Sequence, residues 1–136
     1  AEEYRRVSLR NGVDTIFLAT PSTPIPRLKR ILSFTTGFLY LVSLFGVTGA
    51  RKSLAQITTQ TVEKFHHHTA GAAPMAVGFG ISKPSHVRAI IKHGAEGAII
   101  GSAFVKVVEK NLNKPSEISP QIQAFAEKLK AATLRY

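Results

Sequence analysis

The sequence predicts a parallel α/β fold: the carboxyl-terminal half of a (β/α)8 TIM barrel, its last four βα units forming a single domain over residues 1–136. Three observations predict it. Four short apolar runs alternate with helical stretches, and no hairpin signal lies between them, which is the pattern of parallel strands joined by right-handed crossovers. Three of those runs end in glycine-bearing turns: Gly46-Val47-Thr48-Gly49-Ala50 after Phe38–Ser43, Gly78-Phe79-Gly80-Ile81-Ser82 after Met75–Val77, and Gly101-Ser102-Ala103 after Gly97–Ile100. Backbone N–H groups can approach a phosphate where no Cβ intervenes, and in (β/α)8 barrels the phosphate site lies at the carboxyl ends of the last strands beside a short extra helix. Finally, the chain has 136 residues, whereas a closed barrel needs ~250 and seldom fewer than ~200. An open doubly wound sheet fits the bare alternation as well. Glycine turns on consecutive strands favour the barrel, whose strand exits converge on one rim.

The elements follow in order. Glu2–Arg10 reads as the end of a helix stopped by Asn11-Gly12. Asp14–Thr20 is a nearly continuous apolar run, as expected of a strand covered on both faces, and Pro21–Pro24 ends it. Pro26–Thr35 places Leu28, Ile31 and Leu32 on one helical face, with Arg27, Lys29 and Arg30 outward. After the second strand, Ser53 can cap a helix whose stripe is Leu54, Ile57, Thr61 and Phe65. Pro84 starts the next helix, with Val87, Ile90 and Ile91 inward, and Gly94 stops it. Ser102–Lys110 is a short helix, and Ile118–Leu134 a final amphipathic one built on Ile122, Phe125 and Leu129.

Composition narrows the classes. Apolar residues make up 44% of the chain, enough for a core. The absence of cysteine removes disulfides and thiolate chemistry. No apolar run approaches the ~20 residues of a membrane span, and Ala1-Glu2-Glu3-Tyr4-Arg5-Arg6 lacks the basic-then-apolar order of a signal peptide. A cytoplasmic protein without a membrane partner is expected. The net charge of +10 is spread along the chain with few aromatics interleaved, so a nucleic-acid partner is not expected. A field favouring a small anionic substrate, or a solvated surface, accounts for the charge.

The segments GFLYLVSLFGVTGAR (Gly37–Arg51), AVGFGISKPSHV (Ala76–Val87) and GAIIGSAFVK (Gly97–Lys106) resemble the carboxyl-terminal half of the tryptophan synthase alpha subunit. IFLATPSTP (Ile16–Pro24) is similar to that family's fifth strand and following loop, and Glu2-Glu3 to the start of its fourth helix. The resemblance implies a cofactor-free lyase of tryptophan biosynthesis that cleaves indole-3-glycerol phosphate to indole and glyceraldehyde 3-phosphate, with a tryptophan synthase beta subunit as partner. It also implies that Gly49, Gly78, Gly80, Gly101 and Ser102 hold the substrate phosphate. Thr48 would sit on a loop that closes over the substrate and bonds a catalytic aspartate, and Tyr40 would line the site. Phe38 stands where many members carry a second tyrosine.

Such lysis needs two carboxylates, one protonating the leaving carbon and one handling the indole nitrogen. The resemblance places them on and after the second strand, in segments this sequence does not contain. The acids present do not replace them. Asp14 and Glu96 precede their strands, at the rim opposite the glycine turns; Glu63, Glu109, Glu117 and Glu127 fall on helices; Glu2 and Glu3 lack their preceding strand. The isolated chain is therefore expected to be inactive, to keep weak phosphate affinity, and to self-associate or need an amino-terminal half-barrel. Its edges would be Asp14–Thr20 and Gly97–Ile100, with Ile16, Leu18, Ile99 and Ile100 short of cover. Another phosphosugar-binding barrel enzyme and a non-catalytic phosphate-binding module are the alternatives.

The remaining candidates have simpler readings. His66-His67-His68 could bind a metal, but successive residues point around a helix, so favourable charge at a helix carboxyl end is the expected role and no metal site is assigned. His86 and His93 read as surface helix residues. Tyr40 could be a core strand aromatic, and Gly78 and Gly80 could merely form a tight turn. Arg51 and Lys106 could assist the phosphate or be solvated, and neither is assigned.

Overall fold

The computed structural model of the chain describes residues 1–42 and 51–134, with side chains described from residue 56 onward in the second stretch. Helix α1 (Glu2–Arg10) leads into β1 (Phe17–Ala19), followed by α2 (Ile25–Phe34), β2 (Leu39–Val42), α3 (Arg51–Thr69), β3 (Met75–Gly78), α4 (Pro84–Lys92), β4 (Gly97–Ile99), α5 (Ser102–Lys110) and α6 (Pro115–Ala131). The four strands form one parallel sheet in the order β1-β2-β3-β4. Each strand lies beside its predecessor, and the order never reverses. A doubly wound sheet requires a reversal to place helices on both faces, so the consecutive parallel order, with the helices packed on a single face, makes this half of a (β/α)8 barrel.

Strand alternation sorts the side chains. Ala19, Leu39, Leu41, Met75 and Val77 face the helices and are buried, packed with Leu28 and Leu32 of α2, Val62 and Phe65 of α3, and Val87, Ile90 and Ile91 of α4. The opposite face would be the interior of a barrel. The register aligns Leu18, Tyr40, Ala76 and Gly97 there in one row. Cover is poorest at the β1 end of this face: Leu18 is 59% exposed and Ile16, just before the strand, 43%, whereas Tyr40, Ala76 and Gly97 are half-buried. Ile99 is half-buried. Ile100 departs from expectation by packing against the helix-side core.

Several boundaries differ from the sequence reading for local reasons. β1 is only Phe17–Ala19, because residues before it bond outside the ladder: the Thr15 N–H donates to Thr36 Oγ1 (2.9 Å) and the Thr15 hydroxyl to the Phe34 carbonyl (2.5 Å). β3 runs one residue further than expected, so Gly78 belongs to the strand and not to the turn. Helix α3 begins at Arg51, which puts Ser53 inside it and not at its cap. Its buried stripe is Thr58, Thr61, Val62, Phe65 and Thr69, whereas Ile57 is exposed. Helix α6 starts at Pro115, ahead of Ile118, with proline's fixed φ suited to the first helical position, and stops at Ala131. It tolerates Pro120, so close to its amino end that little of the hydrogen-bond ladder is disturbed.

Candidate phosphate-binding rim

The carboxyl ends of β3 and β4 lie side by side. Gly78 pairs with Ile99, so Gly80 and Gly101 each follow a matched pair by two residues. Beyond Gly78 the chain turns through two left-handed residues, Phe79 (φ 82°) and Gly80 (φ 72°). Gly80 adopts this conformation freely, whereas Phe79 holds it under strain of ~1–3 kcal/mol. Gly101 is the N-cap of α5, with Ser102 as the first helical residue. A Cβ at Gly101 would meet nothing within 4 Å, so no packing among the described residues demands glycine there. The carbonyl of Gly101 accepts from Phe104 and Val105, while the N–H groups at the start of α5 point out of the helix. Ser82 from the first turn and Ser102 and Ala103 from the second line one cavity of about 210 Å³.

Tyr40 joins this rim from β2. It is half-buried on the inner face, and its ring reaches diagonally to Gly78: a Cβ on that glycine would overlap the tyrosine hydroxyl and lie 2.5 Å from Cζ. Glycine at position 78 is thus required by Tyr40. Thr48 and Gly49, with the rest of the GVTGA turn, lie outside the described residues.

His86 is not the surface residue the sequence suggested. It is half-buried beneath the β3–α4 turn, where its Nδ1 accepts from the Ser82 N–H at 3.5 Å. Burial lowers its pKa below the usual histidine value; Lys83 adds to this, and the Gly80 backbone opposes it. Neutral His86 is therefore favoured and supports the turn as an acceptor. His93 is also half-buried, with Nδ1 2.7 Å from the Ala89 carbonyl.

The acids lie elsewhere. The Glu96 carboxylate accepts the Met75 N–H at 2.8 Å, at the amino end of β3, and Glu127 accepts from Gln123 on α6. The ring of His66 packs against Gly94, and both line a cleft of about 800 Å³ with Glu63, His67, Arg88 and Lys92. That cleft sits at the carboxyl ends of α3 and α4, on the rim opposite the glycine turns. Among the described residues no three His, Cys, Asp or Glu side chains are placed to hold a metal ion, and no described helix is long and apolar enough to cross a membrane.

A family model described as the tryptophan synthase alpha chain matches residues 1–134. The chain belongs to that family. Tryptophan synthase alpha chains of Pectobacterium atrosepticum and Methanococcus maripaludis are each 42% identical to it, over 96% and 95% of its length. The matches cover 48% and 49% of those relatives, so the chain spans about half the length of the curated relatives it matches. A chain from the tryptophan synthase α2β2 complex of Pyrococcus furiosus superposes with a TM-score of 0.77 at 38% identity, covering 96% of this chain and 51% of that one. The alpha subunit of the same organism gives 0.76 at 35% identity.

Against this alpha-chain frame, sequence reasoning missed the strain at Phe79 and the role of His86, and it set Lys106 aside. Only positive φ marks the first, and no sequence pattern announces that. A histidine two residues past Pro84 of α4 could have been read as folding back over the preceding turn, since the first turn of a helix lies beside its entry loop.

Proposed function

We propose that this chain supplies the phosphate-binding half of a tryptophan-synthase alpha-type lyase, acting in the cytoplasm on indole-3-glycerol phosphate to give indole and glyceraldehyde 3-phosphate. The observation that supports it most is the juxtaposition, within a family member, of the strained Phe79-Gly80 turn and the Gly101-Ser102 helix start at adjacent strand exits. In this reading the backbone N–H groups around Gly78, Gly80, Gly101 and Ser102, together with the Ser102 hydroxyl, grip the phosphate, and Gly49 contributes from the preceding turn. The partial positive charge of the α5 amino end favours the anion. Tyr40 lines the reacting end, and Thr48 acts from the loop that closes over substrate. The two carboxylates needed to protonate the departing carbon and manage the indole nitrogen come from an amino-terminal half-barrel, which also covers the Leu18–Tyr40–Ala76–Gly97 row; a second copy of the chain covers it when that half is absent. A beta subunit then accepts the indole, in keeping with the α2β2 complex named for the Pyrococcus relative. No cofactor enters this half of the reaction.

The test is indole release from indole-3-glycerol phosphate. The chain alone should release none, and the chain mixed with a separately produced amino-terminal half of an alpha chain should recover activity. Release by the chain alone would overturn the assignment of the acids to the other half.

A further inference from the structure

The cavity at Ser102 extends along α5. Beyond Ser82, Ser102 and Ala103 its walls are Lys106, Val107, Lys110 and Phe125 from α6. Ser102, Lys106 and Lys110 are spaced at i, i+4 and i+8, so they form one stripe along the helix, with Lys106 ~6 Å along the axis from Ser102. No acidic side chain lines the cavity, and neither lysine has an ion-pair partner among the described residues. Phe125, tilted against Phe104 with ring centroids 5.0 Å apart, forms one wall, while Ser102, Lys106 and Lys110 are exposed, so the cavity opens to solvent and to an incoming anion.

This bears on a difficulty in the phosphate reading, on which the inference rests. A phosphate monoester carries about −1.5 to −2 charges at neutral pH, with a second pKa near 6. Backbone N–H groups and a hydroxyl offer dipoles, and a helix amino end is equivalent to only about +0.5 of a charge. Most of the anion's charge would remain uncompensated. The cavity supplies full positive charge on the same helix, opening beside the same serine.

We propose that Lys106 is the phosphate-neutralising residue of this site, with Lys110 extending its field as an entry path for anionic ligands. Lys106 acts as a charge that discriminates dianion from monoanion, whereas the glycine turns fix the position of the phosphate through hydrogen bonds.

The test is calorimetric titration of the chain with glycerol phosphate at low ionic strength, at pH 7.5 and pH 5.0. Variants are Lys106→Gln, Lys106→Arg, Lys110→Gln and, for the cradle itself, Gly80→Val. Titration of His86 and the constant charge of Lys83 affect parent and Lys106 variants alike, so the ratio of their affinities isolates the lysine. Lys106→Gln should weaken binding by about tenfold at pH 7.5, where the ligand is a dianion, and by about threefold at pH 5.0. Lys106→Arg should restore affinity to within about twofold, and Lys110→Gln should cost less than Lys106→Gln. Unchanged affinity in Lys106→Gln, with binding lost in Gly80→Val, would overturn the inference and leave the cradle standing. So would an equal loss at both pH values. Binding weakened by Lys106→Gln but untouched by Gly80→Val would support the lysine and overturn the cradle, and absence of binding by the parent chain would overturn both.

Discussion

The phenol of Tyr40 on β2 occupies the space that a side chain at Gly78 on β3 would need: a Cβ there would overlap the hydroxyl and lie 2.5 Å from Cζ. The ring crosses diagonally, since Tyr40 itself is in register with Ala76 and Gly78 with Val42. Two residues from the candidate site are therefore coupled by packing before any ligand arrives, and the glycine that a phosphate would favour is also the one that Tyr40 demands.

Gly78→Ala should accordingly destabilise the chain by about 1–3 kcal/mol, the usual range for overpacking. In a Tyr40→Ala background the same substitution should cost much less, because the ring it collides with is gone. Denaturant melts of the four chains give the coupling. Additive losses would show that the ring and the glycine are independent.

Phe79 holds φ 82° while 70% exposed, so it has little burial to offset its backbone strain. Phe79→Gly should leave stability unchanged or raise it by about 1 kcal/mol. A fall in the denaturation midpoint would mean that the side chain contributes more to the folded state than the strain removes.

The fold was readable because its signals are local and repeated. Pro84 and the Val87, Ile90, Ile91 spacing define α4, and the small residues at Gly97 and Gly101 bracket β4, without reference to distant parts of the chain. The hand of the crossovers leaves a doubly wound sheet open as well, and it is the glycine turns on consecutive strands that favour the consecutive order. What the sequence concealed depends on contacts distant in the chain or on backbone angles. Thr15 leaves the strand ladder because Phe34 and Thr36, about twenty residues away, offer better hydrogen bonds, and Ile57 loses its place in the α3 stripe to Thr58 and Val62 because hydrophobic identity alone does not fix helix rotation. In the site, the glycines announced an approach to the backbone, but not that Tyr40 makes that approach at Gly78. Lys106 was ambiguous in sequence, since the cavity joining it to Ser82 exists only once β3 and β4 pair.

His86 ties stability to pH. Its folded-state pKa is lowered, chiefly by burial, so the neutral form is favoured in the fold; its contribution is fully present above the unfolded value of 6.5 and is lost as pH falls through the lowered folded value. Melting the chain and its His86→Gln variant between pH 7.5 and pH 5 should show a shallower loss of stability in the variant over the acid part of that window. Parallel profiles would rule out His86 as a contributor.

Glu96 is a structural acid in this account. Glu96→Ala removes the acceptor of the Met75 N–H and should cost about 1–2 kcal/mol, while Glu96→Gln, which keeps a side-chain oxygen, should cost less. Glycerol phosphate affinity should be unchanged in both. A selective loss of affinity, at parental stability, would place Glu96 in the binding site.

Among the described residues this sheet is an open half of a barrel, with β1 and β4 as its edges, Leu18 exposed and Tyr40 only half-buried on the inner face. Each large apolar side chain left wet forfeits roughly 1.5–3 kcal/mol, a substantial part of the ~5–15 kcal/mol that stabilises a domain. Sedimentation of the purified chain across a concentration series tests the claim most directly. The account predicts a weight-average mass that rises with concentration towards a dimer and returns to a one-to-one complex when an amino-terminal half-barrel is added. A monomer at every concentration, melting sharply and indifferent to the added half, would contradict it.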